Sequence, residues 1–218
     1  HKEVPAMIIG YYNIANFITL TGMSSALCAC YLAFMGHYKA AIVVYMLAGL
    51  CDLFDGRVAR ATDNGDMKRR TFGVQIDTVS DVISFGVAPG VLAYAMGFRD
   101  VADVVIYIIF ACLGAIRLAY FNTQAITEAP GMKMTCFTGM PIPTISFFLP
   151  PLALLMTCVA PETMHWVFKA VYAIIGISFV INVKIKKPGN AFAIFFVVSM
   201  TACLIALLCI GEMQTLLA

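Results

Sequence analysis

About seven apolar runs, each long enough to cross a bilayer as a helix, divide the sequence, and short polar connections separate them. This constrains the fold more than any other feature. A chain in hydrocarbon must satisfy every backbone N–H and C=O internally, as a helix does along its own length. The runs cover roughly 14–35, 39–61, 73–97, 101–124, 141–159, 164–182 and 190–210. The expected fold is all-α: an integral membrane bundle of six to eight spans, one transmembrane unit over residues 1–218. With 61% hydrophobic and 12% charged residues, the chain has too little polar surface to coat a soluble globule, and no nucleic-acid partner is expected. The first run is too long, and too well followed by further spans, for a cleaved signal peptide.

Lysine and arginine set the expected orientation. An N-terminus in the cytoplasm puts Lys2, Arg57, Arg60, Lys68, Arg69, Arg70, Lys133, Lys184, Lys186 and Lys187 inside, against Lys39, Arg99 and Lys169 near outer ends. The eight cysteines fall mostly within the spans and show no paired metal-ligand spacing, so they read as small apolar residues. His37 and His165 sit near predicted outer ends and are assigned no catalytic role.

The second run ends in "DLFDGRVAR" (52–60), and the third contains "GVQIDTVSDVISFG" (73–86). A helix turns about 100° per residue, so Asp52, Asp55, Gly56 and Ala59 share one face. Gly73, Asp77, Ser80, Asp81 and Ser84 share a face of the next helix in the same way. Counted from the predicted helix ends at about 1.5 Å per residue, both aspartate pairs lie roughly 6–15 Å deep, at one level. Four carboxylates can therefore converge. Buried in a low dielectric they repel one another, and divalent cations would neutralise them. Oxygen-only ligation suits Mg²⁺, Mn²⁺ or Ca²⁺ and disfavours zinc. Two carboxylates from each helix can hold a pair of metals, the arrangement that clamps the attacking and leaving oxygens in phosphoryl transfer. The competing reading makes them helix-end charges that reach water and pair with nearby arginines.

The order Asp52, Asp55-Gly56, Ala59-Arg60, Gly73, Asp77, Asp81 resembles the signature of the CDP-alcohol phosphotransferases. Twelve residues separate Arg60 from Gly73, longer than the usual family spacing. The surplus is expected in a charged loop, "ATDNGDMKRRTF", that can lengthen without moving either helix. Three further stretches, "DVISFGVAPG" (81–90), "AIRLAYFNTQ" (115–124) and "FTGMPIPT" (137–144), look most like the branch whose acceptor is L-serine. The resemblance implies a membrane-bound transferase in a homodimer, with its active site facing the cytoplasm. It would move a phosphatidyl group from CDP-diacylglycerol to L-serine, with two divalent cations, Mg²⁺ or Mn²⁺. It further implies that Asp52, Asp55 and Asp77 are metal ligands, and that Asp81 completes the site and is the general base. Asp52, Gly56, Ala59, Arg60 and Gly73 would meet the nucleotide of the CDP-lipid. Close packing of helices is the rival reading for the small residues.

Arg117 falls inside the fourth run, level with the aspartates, where a cation is costly without an anion. It is expected to bind phosphate or the serine carboxylate, with pairing to an aspartate as the alternative. Asn16 and Thr19 would either face the cavity or bond between helices. Lys184 would meet phosphate or carboxylate, or lie in a positive-inside loop. Other acceptors (glycerol 3-phosphate, an inositol phosphate) and an archaeal ether-lipid donor stay open. A cation transporter is the alternative of another class, disfavoured because no polar residues continue a path through the outer half.

Overall fold

The computed structural model describes residues 9–127, 136–182, 184–186 and 190–210, with backbone alone at 125–127, 136–138, 184–186 and 190–192. Among these residues the helices are α1 (Ile14–Phe34), α2 (Tyr38–Ala61), α3 (Met67–Asp81), α4 (Ala88–Ala95), α5 (Val101–Thr127), α6 (Thr144–Leu155), α7 (Pro161–Val180) and α8 (Asn190–Cys209). A π-helical turn, Val82–Val87, joins α3 to α4, so Met67–Ala95 is one rod and the described bundle has seven. A short antiparallel ribbon pairs β1 (Cys136–Thr138) with β2 (Lys184–Lys186), Phe137 opposite Ile185. It ties the connection before α6 to the one before α8.

The chain is a helical membrane protein, as its apolar runs require. Ile14–Phe34, Met67–Ala95, Val101–Gln124 and Pro161–Val180 are long and apolar enough to cross a membrane. Helix α2 has the length, at 24 residues, but it carries Asp52, Asp55, Arg57 and Arg60 near one end. The expected span 141–159 shrinks to the twelve residues of α6. Its start lies just after Pro141 and Pro143, and Pro150 and Pro151 remove two N–H groups from its interior. Twelve residues reach only about 18 Å, short of a hydrocarbon core.

The charged segment between the aspartate pairs also differs from expectation. Helix α2 runs to Ala61 and α3 begins at Met67, so most of the expected loop is helix. Asp66 caps α3 by accepting a hydrogen bond from the Lys68 N–H at 2.9 Å, and Lys68, Arg69 and Arg70 lie in its first turn. The surplus spacing thus lengthens a helix rather than a loop. Asp77 and Asp81 consequently stand further from the helix start than expected, yet they still reach the level of Asp52 and Asp55.

Small residues set the helix contacts. A Cβ added at Gly22 of α1 would meet Cys51 of α2 at 2.9 Å, and one at Gly49 of α2 would meet the Ser146 hydroxyl of α6 at 2.6 Å. The core behind them is built from Ile42, Tyr45, Phe85, Leu92, Phe110 and Tyr172.

The π turn has a local cause. Pro89 has no N–H, and a proline in a regular helix collides with the carbonyl four residues back. The wider turn relieves that contact, with the Ala88 N–H bonding to the Ile83 carbonyl five residues back. In that pattern the Ser84 carbonyl would look to Pro89, which has nothing to donate. The Tyr45 hydroxyl of α2 donates to it instead, at 3.1 Å.

The end of the bundle away from the aspartate-bearing end of α2 is closed by charge. Asp103, fully buried, accepts from the Asp100 N–H at 3.1 Å as the reciprocal half of a helix cap. Its other carboxylate oxygen lies 3.4 Å from the Lys169 ammonium of α7, and His165 Nδ1 is 3.5 Å from the first. Three groups here could ligate a metal, but Lys169 already supplies the cation. Lys169→Ala leaves a buried carboxylate without its counter-ion and is expected to cost about 3 kcal/mol of stability. A fall of several degrees in the detergent melting temperature would register it; an unchanged midpoint would show the pair to be neutral.

Candidate active site

Thr19 of α1, Asp52 and Asp55 of α2, and Ser80, Asp81 and Ser84 of the α3–α4 rod line one water-sized cavity. One carboxylate oxygen from each of Asp52, Asp55 and Asp77 lies within 4.8 Å of the others. Asp81 lines the same cavity as Asp52 and Asp55. All four aspartates therefore converge, as the matched faces and depths require.

Their local supports come from three helices. The Thr19 hydroxyl donates to Asp55 Oδ2 at 2.7 Å and also lies 3.1 Å from the Ala15 carbonyl. The Ser80 hydroxyl donates to the Thr19 carbonyl at 3.3 Å, fixing α3 against α1. The alternatives drawn for Thr19 thus coincide: it bonds between helices and faces the cavity. Asn122 of α5 reaches Thr78 on the neighbouring face of α3 at 2.8 Å. Ser80 and Ser84 had no assigned role, although the stripe of Gly73, Asp77 and Asp81 already contained them. Nothing local pointed to Tyr45 or Asn122.

The donor set fits a hard dication. Three carboxylates from two helices approach within a few ångströms, so Asp52, Asp55 and Asp77 are the residues that would hold it. Among the described residues no histidine or cysteine lines the cavity. Oxygen-only ligation of this kind suits Mg²⁺, Mn²⁺ or Ca²⁺.

Around the carboxylates, the Arg60 guanidinium folds back over Gly56, with Nη1 3.6 Å from where a Cβ would stand. Ala59 is half-buried on the same face. Gly73 lies against Asn16, whose Oδ1 is 3.3 Å from the position of an added Cβ. Asn16 donates to the Tyr11 carbonyl at 3.1 Å and stands one turn before Thr19, at the α1–α3 contact rather than in the cavity. Arg117 is buried on α5, its guanidinium 4.8 Å from the centre of the Phe121 ring and close to Gly139. Gly139 adopts a φ of +72°, and a Cβ there would strike the Phe179 carbonyl at 2.7 Å and Arg117 Nη1 at 3.0 Å. Arg117 does not line the carboxylate cavity. Lys184 has its backbone in β2, opposite Thr138, and its side chain lies outside the described residues.

A family model described as CDP-alcohol phosphatidyltransferase matches residues 12–181. A Saccharomyces cerevisiae CDP-diacylglycerol–serine O-phosphatidyltransferase is 35% identical over 141 residues, covering 62% of this chain and 45% of its own. An archaetidylserine synthase of Methanothermobacter thermautotrophicus is 37% identical over 147 residues, 65% of this chain and 59% of its own. A CDP-diacylglycerol–serine O-phosphatidyltransferase of Methanocaldococcus jannaschii is 29% identical over 197 residues, covering 89% and 85%. The chain thus spans about half the length of the first two of these relatives.

Proposed function

This chain belongs to the CDP-alcohol phosphatidyltransferase family, and we propose that it is a phosphatidylserine synthase, transferring a phosphatidyl group from CDP-diacylglycerol to the hydroxyl of L-serine. The convergence of Asp52, Asp55 and Asp77 within 4.8 Å is the observation that carries the chemistry. The relatives' serine acceptor supports the choice of substrate.

In this reading Asp52, Asp55, Asp77 and Asp81 hold two divalent cations, Mg²⁺ or Mn²⁺. When bound, these offset the charge of the pyrophosphate and of the departing CMP. The serine oxygen forms a bond to the phosphorus that carries the diacylglycerol, and the bond from that phosphorus to CMP breaks. Asp81 accepts the hydroxyl proton at a carboxylate oxygen, so the products are phosphatidylserine, CMP and one proton. Arg60 and the small residues Gly56, Ala59 and Gly73 shape the nucleotide side. Arg117 and Lys184 are assigned to phosphate or the serine carboxylate, and Asn16 supports the site from the α1–α3 contact beside Gly73. The reading includes a homodimer in the cell membrane, a cytoplasmic N-terminus and active site, and residues 1–218 as one transmembrane unit. An ether-linked CDP-lipid is a second donor class, favoured by the archaetidylserine synthase relative.

The test is CMP release by detergent-purified protein with Mn²⁺ or Mg²⁺, comparing L-serine, glycerol 3-phosphate, an inositol phosphate and no acceptor. Release only with serine supports the whole reading. Release with another acceptor keeps the chemistry and replaces the acceptor, and silence from folded protein with every acceptor removes the transferase. Arg117→Ala is expected to raise the KM for serine about ten-fold, the loss of one charge-assisted hydrogen bond. An unchanged KM would return Arg117 to a packing role beside Phe121 and Gly139.

A further inference from the structure

Most of the described serine and threonine hydroxyls on these helices find a backbone carbonyl: Thr21, Ser24, Thr78 and Thr201 donate four residues back, and Ser25 and Ser178 three. Ser84 does not. Its residue is 2% exposed, and among the described residues its hydroxyl has no hydrogen-bond partner. It stands within the π turn, where the backbone departs from the α-helical bonding pattern. The same turn fixes where the hydroxyl stands, since Tyr45 holds the Ser84 carbonyl at 3.1 Å. Tyr45 is fully buried and lies two turns before Asp52 on the same face of α2. Ser84 is therefore anchored to the helix that carries two of the aspartates, and it lines the cavity bounded by Asp52, Asp55 and Asp81.

A buried hydroxyl without a partner is costly, and the cavity beside it has room for one water with several polar neighbours. We propose that Ser84 is a positioning residue whose hydroxyl, through one buried water, holds the Asp52 and Asp81 carboxylates that line its cavity in the orientation that binds the metals. The inference rests on the two-metal reading of the aspartates and goes beyond it, by placing a support behind the ligands rather than another ligand. Outer-shell hydrogen bonds of this kind change metal affinity by about 10–100-fold. The π turn then has a purpose at this position: it presents the serine to the carboxylates.

The experiment is a Mn²⁺ titration of the purified full chain, free Mn²⁺ being counted by electron paramagnetic resonance, for wild type, Ser84→Ala and Ser84→Thr. Ser84→Ala is expected to bind Mn²⁺ about ten-fold more weakly, with an unchanged metal-free melting temperature. Ser84→Thr, which keeps the hydroxyl, should recover most of the affinity; Ser84→Cys, close to serine in size and a weak donor, should fall between. Wild-type affinity in a folded Ser84→Ala, or equal losses in the alanine and threonine variants, would overturn the inference while leaving the two-metal reading intact. Wild-type protein that takes up no Mn²⁺ would overturn both.

Discussion

Asp81→Asn is expected to abolish turnover, lowering kcat by about 10³-fold, while Mn²⁺ and CDP-lipid binding are largely retained. Asparagine keeps the shape of the side chain and its place in the cavity beside Asp52, but it cannot take a proton from an attacking hydroxyl. Its amide oxygen can still ligate a hard cation, less tightly than a carboxylate does. Binding should therefore survive the change better than chemistry does. The measurement is CMP release beside equilibrium binding of a CDP-lipid in the presence of Mn²⁺. Matched, mild losses in both would take the base role away from Asp81.

Asp52→Ala acts on the other side of that distinction. Asp52 stands in the carboxylate triad with Asp55 and Asp77 and lines the same cavity as Asp81, so in the two-metal reading its removal takes a ligand from the centre of the group. Mn²⁺ uptake and nucleotide binding should fall together by more than about 100-fold. The metal-free fold should not suffer, because one of several mutually repelling buried charges has gone. Wild-type protein should gain stability on adding Mn²⁺, about 2.7 kcal/mol at one hundred times the dissociation constant, and the variant should gain almost none. A variant that melts at the wild-type temperature without metal and fails to respond to Mn²⁺ places Asp52 in the metal site. One that keeps the full Mn²⁺ response places the metals elsewhere.

Much of this site was legible in the order of residues. Helical periodicity put Asp52 and Asp55 on one face and Asp77, Ser80, Asp81 and Ser84 on another, and all but Asp77 line one cavity, with Asp77 at its edge beside Asp52 and Asp55. The connection between the pairs was less legible. A run of Lys68, Arg69 and Arg70 looks like a solvated loop, yet Asp66 caps it and it forms the first turn of α3. The short α6 was missed because hydropathy counts apolar residues and is blind to the N–H groups that Pro150 and Pro151 lack.

The sequence by itself determined that this chain lies in a membrane as helices, that four carboxylates share a level within it, and that their spacing is that of a known transferase family. Those properties follow from composition, the fixed pitch of the helix and short-range order along the chain. Only the tertiary structure decided which neighbours serve them: Thr19 on Asp55 across 36 residues, Tyr45 on the π turn, and Arg117 against Gly139 rather than among the aspartates. The reason is physical. In hydrocarbon the face a helix turns to lipid and the face it turns to another helix are both apolar, so the rotation and offset of each pair are set by small residues and hydrogen bonds made across long separations.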